Sequence, residues 1–227
     1  MSVVLELNGV GFDYGALSVI DNLDLTVSKG ELVVCVGPSG CGKSTLLSLL
    51  GGHLQPTRGT IVRKGASRTI YQDGGLLPWL TVRQNIALGN PAKVDEWLRI
   101  TRLADFADAY AHQLSGGMRQ RVEISRALAA ETDILLMDEP FSALDYQTRR
   151  RMRMELVTTL AERPRTVVFV THDIEEAVQI GDRVIVLGTR PANVRKTLEL
   201  PPGRSRLPAA PGVAEAEQAI MEELGLS

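Results

Sequence analysis

Two kinds of hydrophobic pattern divide this chain into predicted strands. Four short runs contain only apolar residues, as parallel strands do when helices cover both faces of their sheet. These runs are Leu32–Val36, Ile134–Met137, Val167–Val170 and Val184–Leu187. Near the start, Leu23, Leu25 and Val27 instead alternate with polar residues, and the opening segment VVLEL is similar. Such alternation predicts an antiparallel sheet with one solvated face.

Segments with apolar residues at helical spacing lie between these runs. The predicted helices are Ser44–Leu50, the stretch after Ser115, Thr148–Glu162 and Ile174–Ile180. Strands that alternate with helices are typical of an α/β core with a parallel sheet. The expected fold class is therefore α/β, with a mixed sheet and an N-terminal antiparallel β subdomain.

Two further segments depart from this alternation. Between residues 90 and 112 the chain reads as helical, and its apolar side consists of Val94, Trp97, Leu98, Leu103 and Phe106. We expect a small helical subdomain there, inserted over about residues 73–130 of a main domain of residues 1–200. The segment Pro201–Gly212 contains four prolines and precedes a short amphipathic helix. Residues 201–227 are therefore expected to form a peripheral linker and helix.

Composition excludes several classes of protein. The 227 residues include 25 Lys and Arg against 27 Asp and Glu, and only 4% are aromatic. A near-neutral chain with few aromatic residues lacks the basic and stacking surfaces of nucleic-acid binders, so we expect no nucleic-acid partner. Cys35 and Cys41 have no metal-ligand spacing. No apolar run reaches the roughly 18 residues of a membrane span and the start lacks a secretory pattern, so a cytosolic product is expected.

The segment Gly37–Thr45 matches the spacing GxxxxGK[ST], after a predicted strand and before a predicted helix. Its glycines allow backbone N–H groups to turn toward an anion, and the helix N-terminus adds a partial positive charge. Lys43 can reach terminal phosphates, and the Ser44 hydroxyl can coordinate Mg²⁺. The residues expected to bind nucleotide here are Gly37, Pro38, Ser39, Gly40, Cys41, Gly42, Lys43, Ser44 and Thr45.

Such a loop alone leaves kinases, GTPases and ATPases as alternatives. The run Ile134–Met137 ends in Asp138 and Glu139, so two carboxylates follow a buried strand. Asp138 would lie near Mg²⁺, and Glu139 would orient or deprotonate an attacking water. Adjacent acids also occur in surface turns, but their combination with the phosphate loop favours the catalytic interpretation.

The segment Leu114–Arg121, LSGGMRQR, resembles the signature of ABC-transporter ATPases. Ser115 can cap the following helix while its hydroxyl and the amides of Gly116 and Gly117 remain ready for a phosphate. The resemblance extends over residues 3–190 in the family's order, and it implies a P-loop NTPase core of the ABC type.

This resemblance implies further roles. Tyr14 would stack on adenine, Gln72 would contact Mg²⁺ and sense the membrane partner, and His172 would contact the γ-phosphate. Ser142–Asp145 resembles the D-loop at the dimer interface. The residues implied to act within one subunit are Lys43, Ser44, Gln72, Asp138, Glu139 and His172. The second subunit would donate Ser115, Gly116 and Gly117. The implied catalytic residues are Glu139, His172 and Lys43, and the implied metal ligands are Ser44, Gln72 and Asp138.

The implied cofactors are ATP and Mg²⁺, and the implied partners are a second copy, separate permease subunits and, indirectly, a periplasmic or extracellular solute-binding protein. Such a subunit lies at the cytoplasmic face of the inner membrane.

The segment Leu76–Trp79, LLPW, is similar to importers of the nitrate, sulfonate and taurine class, where this region lies against the permease. Core packing is the alternative for this segment. The first expectation for the solute is taurine or an alkanesulfonate, and the second is nitrate or a pyrimidine precursor.

Two rival classes remain alternatives. A soluble P-loop kinase or GTPase would need an acceptor or guanine site, and none is evident. A soluble ABC-type ATPase of DNA repair or translation usually brings a coiled coil, zinc motifs or a second nucleotide domain.

The cluster Arg149–Arg153 is predicted to be a solvated helix face, with contact to anionic lipid or a partner as its alternative. Alkylation of Cys41 is expected to block nucleotide binding, and prior MgATP is expected to slow the alkylation.

Overall fold

The four all-apolar runs form adjacent parallel strands in the computed structural model, which describes residues 2–72, 75–130, 132–204 and 206–226. The strands are β1 (Val3–Tyr14), β2 (Leu17–Ser28), β3 (Leu32–Val36), β4 (Arg58–Arg63), β5 (Ser67–Ile70), β6 (Ile134–Asp138), β7 (Thr166–Thr171), β8 (Arg183–Leu187) and β9 (Val194–Glu199). The helices are α1 (Lys43–Gly51), α2 (Val82–Ala87), α3 (Val94–Ile100), α4 (Gly116–Ala129), α5 (Tyr146–Glu162), α6 (Ile174–Ile180) and α7 (Val213–Leu224).

The strands form two sheets. The larger has the order β5-β6-β7-β3-β8-β9 and is parallel except for β9, which pairs antiparallel with β8. The smaller is antiparallel, with the order β2-β1-β4. Because β3, β6 and β7 are neighbours with the same direction, the loops that follow them meet at one edge. Ligands of open α/β sheets bind at this carboxyl edge.

Alternation along β3 explains how both faces of the larger sheet are covered. Leu32, Val34 and Val36 belong to a core cluster with residues of the helical insertion, α5 and α6. Val33 and Cys35 belong to a second cluster, with α1 and the antiparallel sheet. Side chains of successive strand residues point to opposite faces, so an all-apolar strand supplies both clusters.

Between β5 and β6 the named elements of the described chain are all helical. They are α2, α3 and α4, with short 3₁₀ turns at Pro91–Lys93, Ala104–Phe106 and Ala111–Gln113. Trp97 and Leu103 are buried as expected, but Phe106 is 43% exposed. α3 ends at Ile100, and Arg102 adopts a φ of +54°. This turn interrupts the helical spacing of side chains, so Phe106 does not lie on the buried side with Trp97 and Leu103. Asp73, where the subdomain was expected to begin, lies outside the described residues.

The C-terminal segment is packed onto the domain, contrary to the expected peripheral position. Val213 and Ile220 of α7 are buried in the core cluster that contains α6 and β8. Arg206 is 9% exposed and donates hydrogen bonds to the carbonyls of Val178 (3.2 Å) and Gly181 (2.7 Å). Arginine commonly binds the last carbonyls of a helix, so this side chain attaches the proline-rich segment to the end of α6.

The arginine cluster of α5 is also only partly solvated, which corrects the prediction of a uniformly exposed face. Arg150 is exposed, whereas Arg153 is 4% exposed. The helix packs its Met152 and Leu156 into the core, and Arg153 is carried inward with them.

Candidate active site

The phosphate loop between β3 and α1 leaves the first turn of the helix open. Gly42 occupies the N-cap position with a φ of 121°, and no side chain caps the helix. A Cβ atom on Gly42 would lie 2.9 Å from Cγ1 of Val19, so both the backbone conformation and the available space require glycine. Uncapped amides at a helix N-terminus bind anions, because their N–H groups and the helix dipole point outward.

Lys43 lies at the centre of this loop. Its side chain is 7% exposed, and Nζ donates to the carbonyls of Gly37 (2.8 Å) and Pro38 (3.0 Å). An ammonium has three donors, so one remains for a phosphate oxygen. The carbonyls of Gly37 and Pro38 therefore contribute to the site by orienting Lys43.

Cys41 does not present its side chain to the site. Its side chain is 2% exposed and packs in the core cluster beneath the loop. Burial raises the pKa of the Cys41 thiol, and the charge of Lys43 opposes this only in part. The expected alkylation of Cys41 needs an exposed thiol, whereas the structure buries this side chain and leaves only its backbone to face a phosphate.

A cavity of about 450 Å³ opens above the phosphate loop. Its volume lies in the range of small-molecule sites. Eleven of the residues predicted from the sequence line it: Tyr14, Ser39, Gly40, Gly42, Lys43, Ser44, Thr45, Gln72, Asp138, Glu139 and His172. Leu17, Val19 and Arg190 also line it, and sequence analysis missed them because they belong to no motif.

Tyr14 and Leu17 form an apolar rim of this cavity at the turn between β1 and β2. They are 53% and 45% exposed. The Tyr14 ring packs edge-on against Phe12, with centroids 4.8 Å apart and an interplanar angle of 84°. An aromatic face fixed in this way suits stacking on a planar base.

Glu139 and His172 meet where β6 and β7 end. Oε2 of Glu139 lies 2.9 Å from Nδ1 of His172. The Glu139 backbone has a φ of +44°, a left-handed conformation that costs about 1–2 kcal/mol for a residue with a Cβ atom. Its N–H donates to the carbonyl of Val170 (2.9 Å). Backbone strain of this kind concentrates at active sites. Here the strained residue is Glu139, whose carboxylate contacts His172.

Gln120 supports this strained residue and was assigned no role from the sequence. Its side chain is 7% exposed and lies in α4, within the LSGGMRQR segment. Nε2 donates to the Glu139 carbonyl (3.4 Å), and Oε1 accepts from the Ala143 N–H (3.2 Å). One amide thus connects the signature helix, Glu139 and the D-loop.

The oxygen atoms in the cavity fit a magnesium ion. The Ser44 hydroxyl, the Asp138 carboxylate and the Gln72 side chain share this cavity, and Mg²⁺ prefers oxygen ligands. Ser44, Asp138 and Gln72 would therefore hold the ion beside bound phosphates.

The signature turn lies outside this cavity. Ser115 is the N-cap of α4, and its Oγ accepts from the Met118 N–H (3.2 Å). Neither Ser115, Gly116 nor Gly117 lines the cavity, and Ser115 and Gly116 are exposed. The chain therefore presents the N-terminus of α4 away from its own phosphate loop.

The LLPW segment forms a loop after Gln72, and residues 73 and 74 lie outside the described chain. Leu76 is half-buried and packs against the core, whereas Pro78 and Trp79 are exposed. Trp79 is 68% exposed, which contradicts the core-packing alternative for this side chain. Asn85 of α2, 1% exposed, fixes the loop. Its Oδ1 accepts from the Leu77 N–H (2.9 Å), and its Nδ2 donates to the carbonyls of Leu77, Leu80 and Thr81 (3.2, 3.1 and 3.0 Å).

The phosphate loop, the carboxyl-edge acids and the sheet order define a P-loop nucleotide-binding protein. The sequence profile of the family described as ABC transporter matches residues 20–142. An ATP-binding protein of Brucella abortus biovar 1 (strain 9-941) is 44% identical over 212 residues, which cover 86% of this chain and 82% of that protein. The aliphatic sulfonates import ATP-binding protein SsuB 1 of Rhodococcus jostii (strain RHA1) is 43% identical over 213 residues, which cover 90% of this chain and 86% of that protein.

Solved structures give the same result. The dimeric structure of MJ0796, a bacterial ABC transporter cassette, matches with a TM-score of 0.79 and 30% identity, covering 88% of this chain and 100% of that chain. A dimeric post-hydrolysis state of the same cassette, bound to ADP and Pi, matches with a TM-score of 0.77 and 29% identity over the same shares.

This chain belongs to the ABC transporter family, as an ATP-binding domain. It is an ABC-type ATPase. None of the helices described by the structure is both long and apolar enough to span a membrane.

Proposed function

We propose that this chain is the ATP-hydrolysing subunit of an importer of aliphatic sulfonates, taurine among them. In this proposal it works as a homodimer at the cytoplasmic face of the inner membrane and drives a separate permease. An extracellular or periplasmic binding protein supplies the solute. The 43% identity to a named aliphatic sulfonates import protein supports the solute class.

The observation that carries the proposal is the separation of two anion-binding elements on one chain. The phosphate loop, Glu139 and His172 line one cavity, whereas the signature turn at Ser115 lies outside it. A second copy placed head to tail supplies the missing turn to each cavity. Two ATP molecules are then enclosed between two copies, so closure of the dimer depends on nucleotide.

In the proposed reaction a water attacks the γ-phosphorus in line, and ADP leaves with its β-phosphate oxygen. The loop amides and Lys43 bind the phosphates. Glu139 orients the water and accepts its proton, and His172, whose Nδ1 lies 2.9 Å from Oε2 of Glu139, contacts the γ-phosphate. Ser44, Asp138 and Gln72 would hold Mg²⁺, whose charge would stabilise the negative phosphate oxygens. Ser115, Gly116 and Gly117 of a second copy donate hydrogen bonds to the same group.

The Leu76–Trp79 loop is the proposed contact with the permease. It follows Gln72, which lines the nucleotide cavity, so the loop and the site are joined by a short stretch of chain. An exposed tryptophan on a loop fixed by Asn85 suits a protein interface, because aromatic anchors on rigid supports contribute most to binding.

Growth on defined sulfur sources tests the proposed solute. A strain lacking this gene should fail to grow on taurine or ethanesulfonate as sole sulfur source and should grow normally on sulfate. The wild-type gene should restore growth, and a Glu139→Gln gene should not. Normal growth on both sulfonates, with a defect confined to nitrate as sole nitrogen source, would overturn the sulfonate assignment.

A further inference from the structure

Two arginines of α5 face α6. Arg149 and Arg153 are four residues apart, so they lie on one side of the helix. Arg149 contacts two loops at once. Its NH1 lies 3.4 Å from Oδ2 of Asp173, and its NH2 donates to the carbonyl of Leu144 in the D-loop (3.2 Å).

Asp173 connects this contact to the catalytic pair. It follows His172 directly and is the N-cap of α6, where Oδ1 accepts from the Glu176 N–H (3.0 Å). Its own N–H donates to Oγ1 of Thr171 (3.0 Å). One carboxylate oxygen of Asp173 thus caps α6, and the other faces Arg149. Arg149 of α5 therefore helps to set the position of Asp173, which directly follows His172.

Two further charged residues, Arg153 of α5 and Glu176 of α6, are buried on the same two helices. They are 4% and 3% exposed. Burial raises the pKa of Glu176 to about 7, and the charges of Arg153 and Arg149 oppose that rise. Nε and NH1 of Arg153 and Oε1 of Glu176 have no hydrogen-bond partner among the described residues. Buried polar atoms without partners cost free energy, so the recorded contact between α5 and the start of α6 is the one between Arg149 and Asp173.

These contacts share a boundary with the catalytic pair. A cavity of about 40 Å³ lies between the end of β6, the D-loop and the start of α6. The residues around it are Glu139, Phe141, Ser142, Arg149, Thr171, His172, Asp173 and Glu176. A displacement of α5 therefore reaches His172 through few atoms.

We propose that Arg149 is a positioning residue for ATP hydrolysis, because it joins the D-loop backbone at Leu144 to the loop that carries His172. When a second copy presses on the D-loop, Arg149 carries the displacement to Asp173 and thus to His172. This inference rests on the roles proposed above for His172 and for the dimer.

A double-mutant cycle tests the contact. The variants of the full chain are Arg149→Met, Asp173→Asn and the double variant, assayed for kcat and KM with MgATP and for Tm. Asparagine keeps the N-cap of α6 and removes the charge that faces Arg149. Arg150→Met is the matched control, because Arg150 is exposed on the same helix.

Each single variant should lower kcat by about tenfold with an unchanged KM, and the double variant should be no slower than the slower single. Arg149→Lys should recover part of the activity, since it keeps the charge but lacks the fork that reaches two acceptors. Arg150→Met should match the wild type. A purely structural role would instead lower Tm without this non-additivity in kcat.

Multiplicative losses in the double variant, or a wild-type kcat for Arg149→Met, would overturn the inference. If Arg149→Met does not fold, the cycle is run with Arg149→Lys. A wild-type kcat for Arg149→Lys would then overturn the inference. The His172→Ala variant distinguishes a failure of the proposed catalytic site from a failure of the positioning role alone. If His172→Ala retains full kcat, the proposed site itself fails; if it loses activity while Arg149→Met does not, only the positioning role fails.

Discussion

Oε2 of Glu139 lies 2.9 Å from Nδ1 of His172, at the edge of the sheet where β6 and β7 end. This contact joins two residues 33 positions apart in the chain. Because β6 and β7 are adjacent parallel strands, the residues that follow them are neighbours. The contact places the proposed water-orienting carboxylate directly beside the residue proposed to contact the γ-phosphate, and it bears on the first prediction.

Glu139→Gln should lower kcat by at least about 100-fold, because an amide cannot accept the proton of the attacking water. ATP affinity should be retained, since the phosphate loop is unchanged, and the variant should accumulate as a dimer with MgATP. Steady-state hydrolysis, calorimetric ATP binding and analytical ultracentrifugation measure the three quantities. Glu162→Gln, on the exposed end of α5, is the control. A Glu139→Gln enzyme with normal turnover would remove Glu139 from the mechanism.

Two glycines of the phosphate loop should respond differently to alanine. Gly40 has a φ of 73° with no atom near its added Cβ, whereas a Cβ on Gly42 would lie 2.9 Å from Val19 Cγ1. Gly40→Ala should lower the free energy of unfolding by about 1–2 kcal/mol. Gly42→Ala should lower it further and weaken ATP binding more, because the loop must also move. Urea unfolding and ATP titration give both values. Equal effects of the two substitutions would show that space at position 42 is not limiting.

Cys41 should react slowly with thiol reagents in the folded chain at pH 7.5. Its side chain is 2% exposed and burial raises its pKa, so little thiolate reaches the reagent. MgATP should change the rate little, and full reaction should require denaturant. Labelling with a chromogenic disulfide, with and without MgATP, measures this. Rapid labelling that MgATP suppresses would show that the thiol faces the nucleotide.

Asn85→Ala should uncouple the Leu76–Trp79 loop from the rest of the domain. Loss of its hydrogen bonds should lower the free energy of unfolding by about 1–3 kcal/mol. ATP hydrolysis by the isolated chain should persist, while solute uptake and co-purification of the permease should fall. Arg83→Ala is the control, because the Arg83 side chain forms a surface ion pair with Asp95 on the neighbouring α3. Normal uptake by Asn85→Ala would show that the loop does not need this support.

Glu176 should make stability depend on pH. Burial raises its pKa from the ordinary 4.5 to about 7, so between these values the folded chain binds a proton that the unfolded chain releases. Stability therefore falls as pH rises from about 4.5 to 7, by up to about 3 kcal/mol. Glu176→Gln should remove this slope and be more stable than the wild type at pH 8. Urea unfolding of both proteins at pH 5 and pH 8 measures this pH dependence. If Glu176→Gln kept the wild-type dependence of stability on pH, other ionisable groups would be its cause. The ionisable groups that face Glu176 are Arg149, Arg153, Asp173, Glu139 and His172.

The sequence by itself determined the features whose residues are contiguous. The phosphate loop is one uninterrupted segment, and the four all-apolar runs predicted strands covered on both faces of a sheet. Since neighbouring parallel strands end at one edge, the sequence also indicated where Asp138 and Glu139 would lie. β4, β5 and β9 are short and more polar, so hydrophobic pattern did not reveal them.

Only the tertiary structure decided which way individual side chains face and what they contact. Cys41 lies inside the phosphate loop motif yet turns into the core, and two arginines of an apparently solvated cluster face α6. The proline-rich tail resembles a linker, but Arg206 fixes it to the end of α6. Gln120 and Asn85 act through hydrogen bonds to backbone groups that belong to other elements. Such contacts depend on how helices and strands pack, because local pattern fixes the elements while packing fixes the neighbours of each side chain.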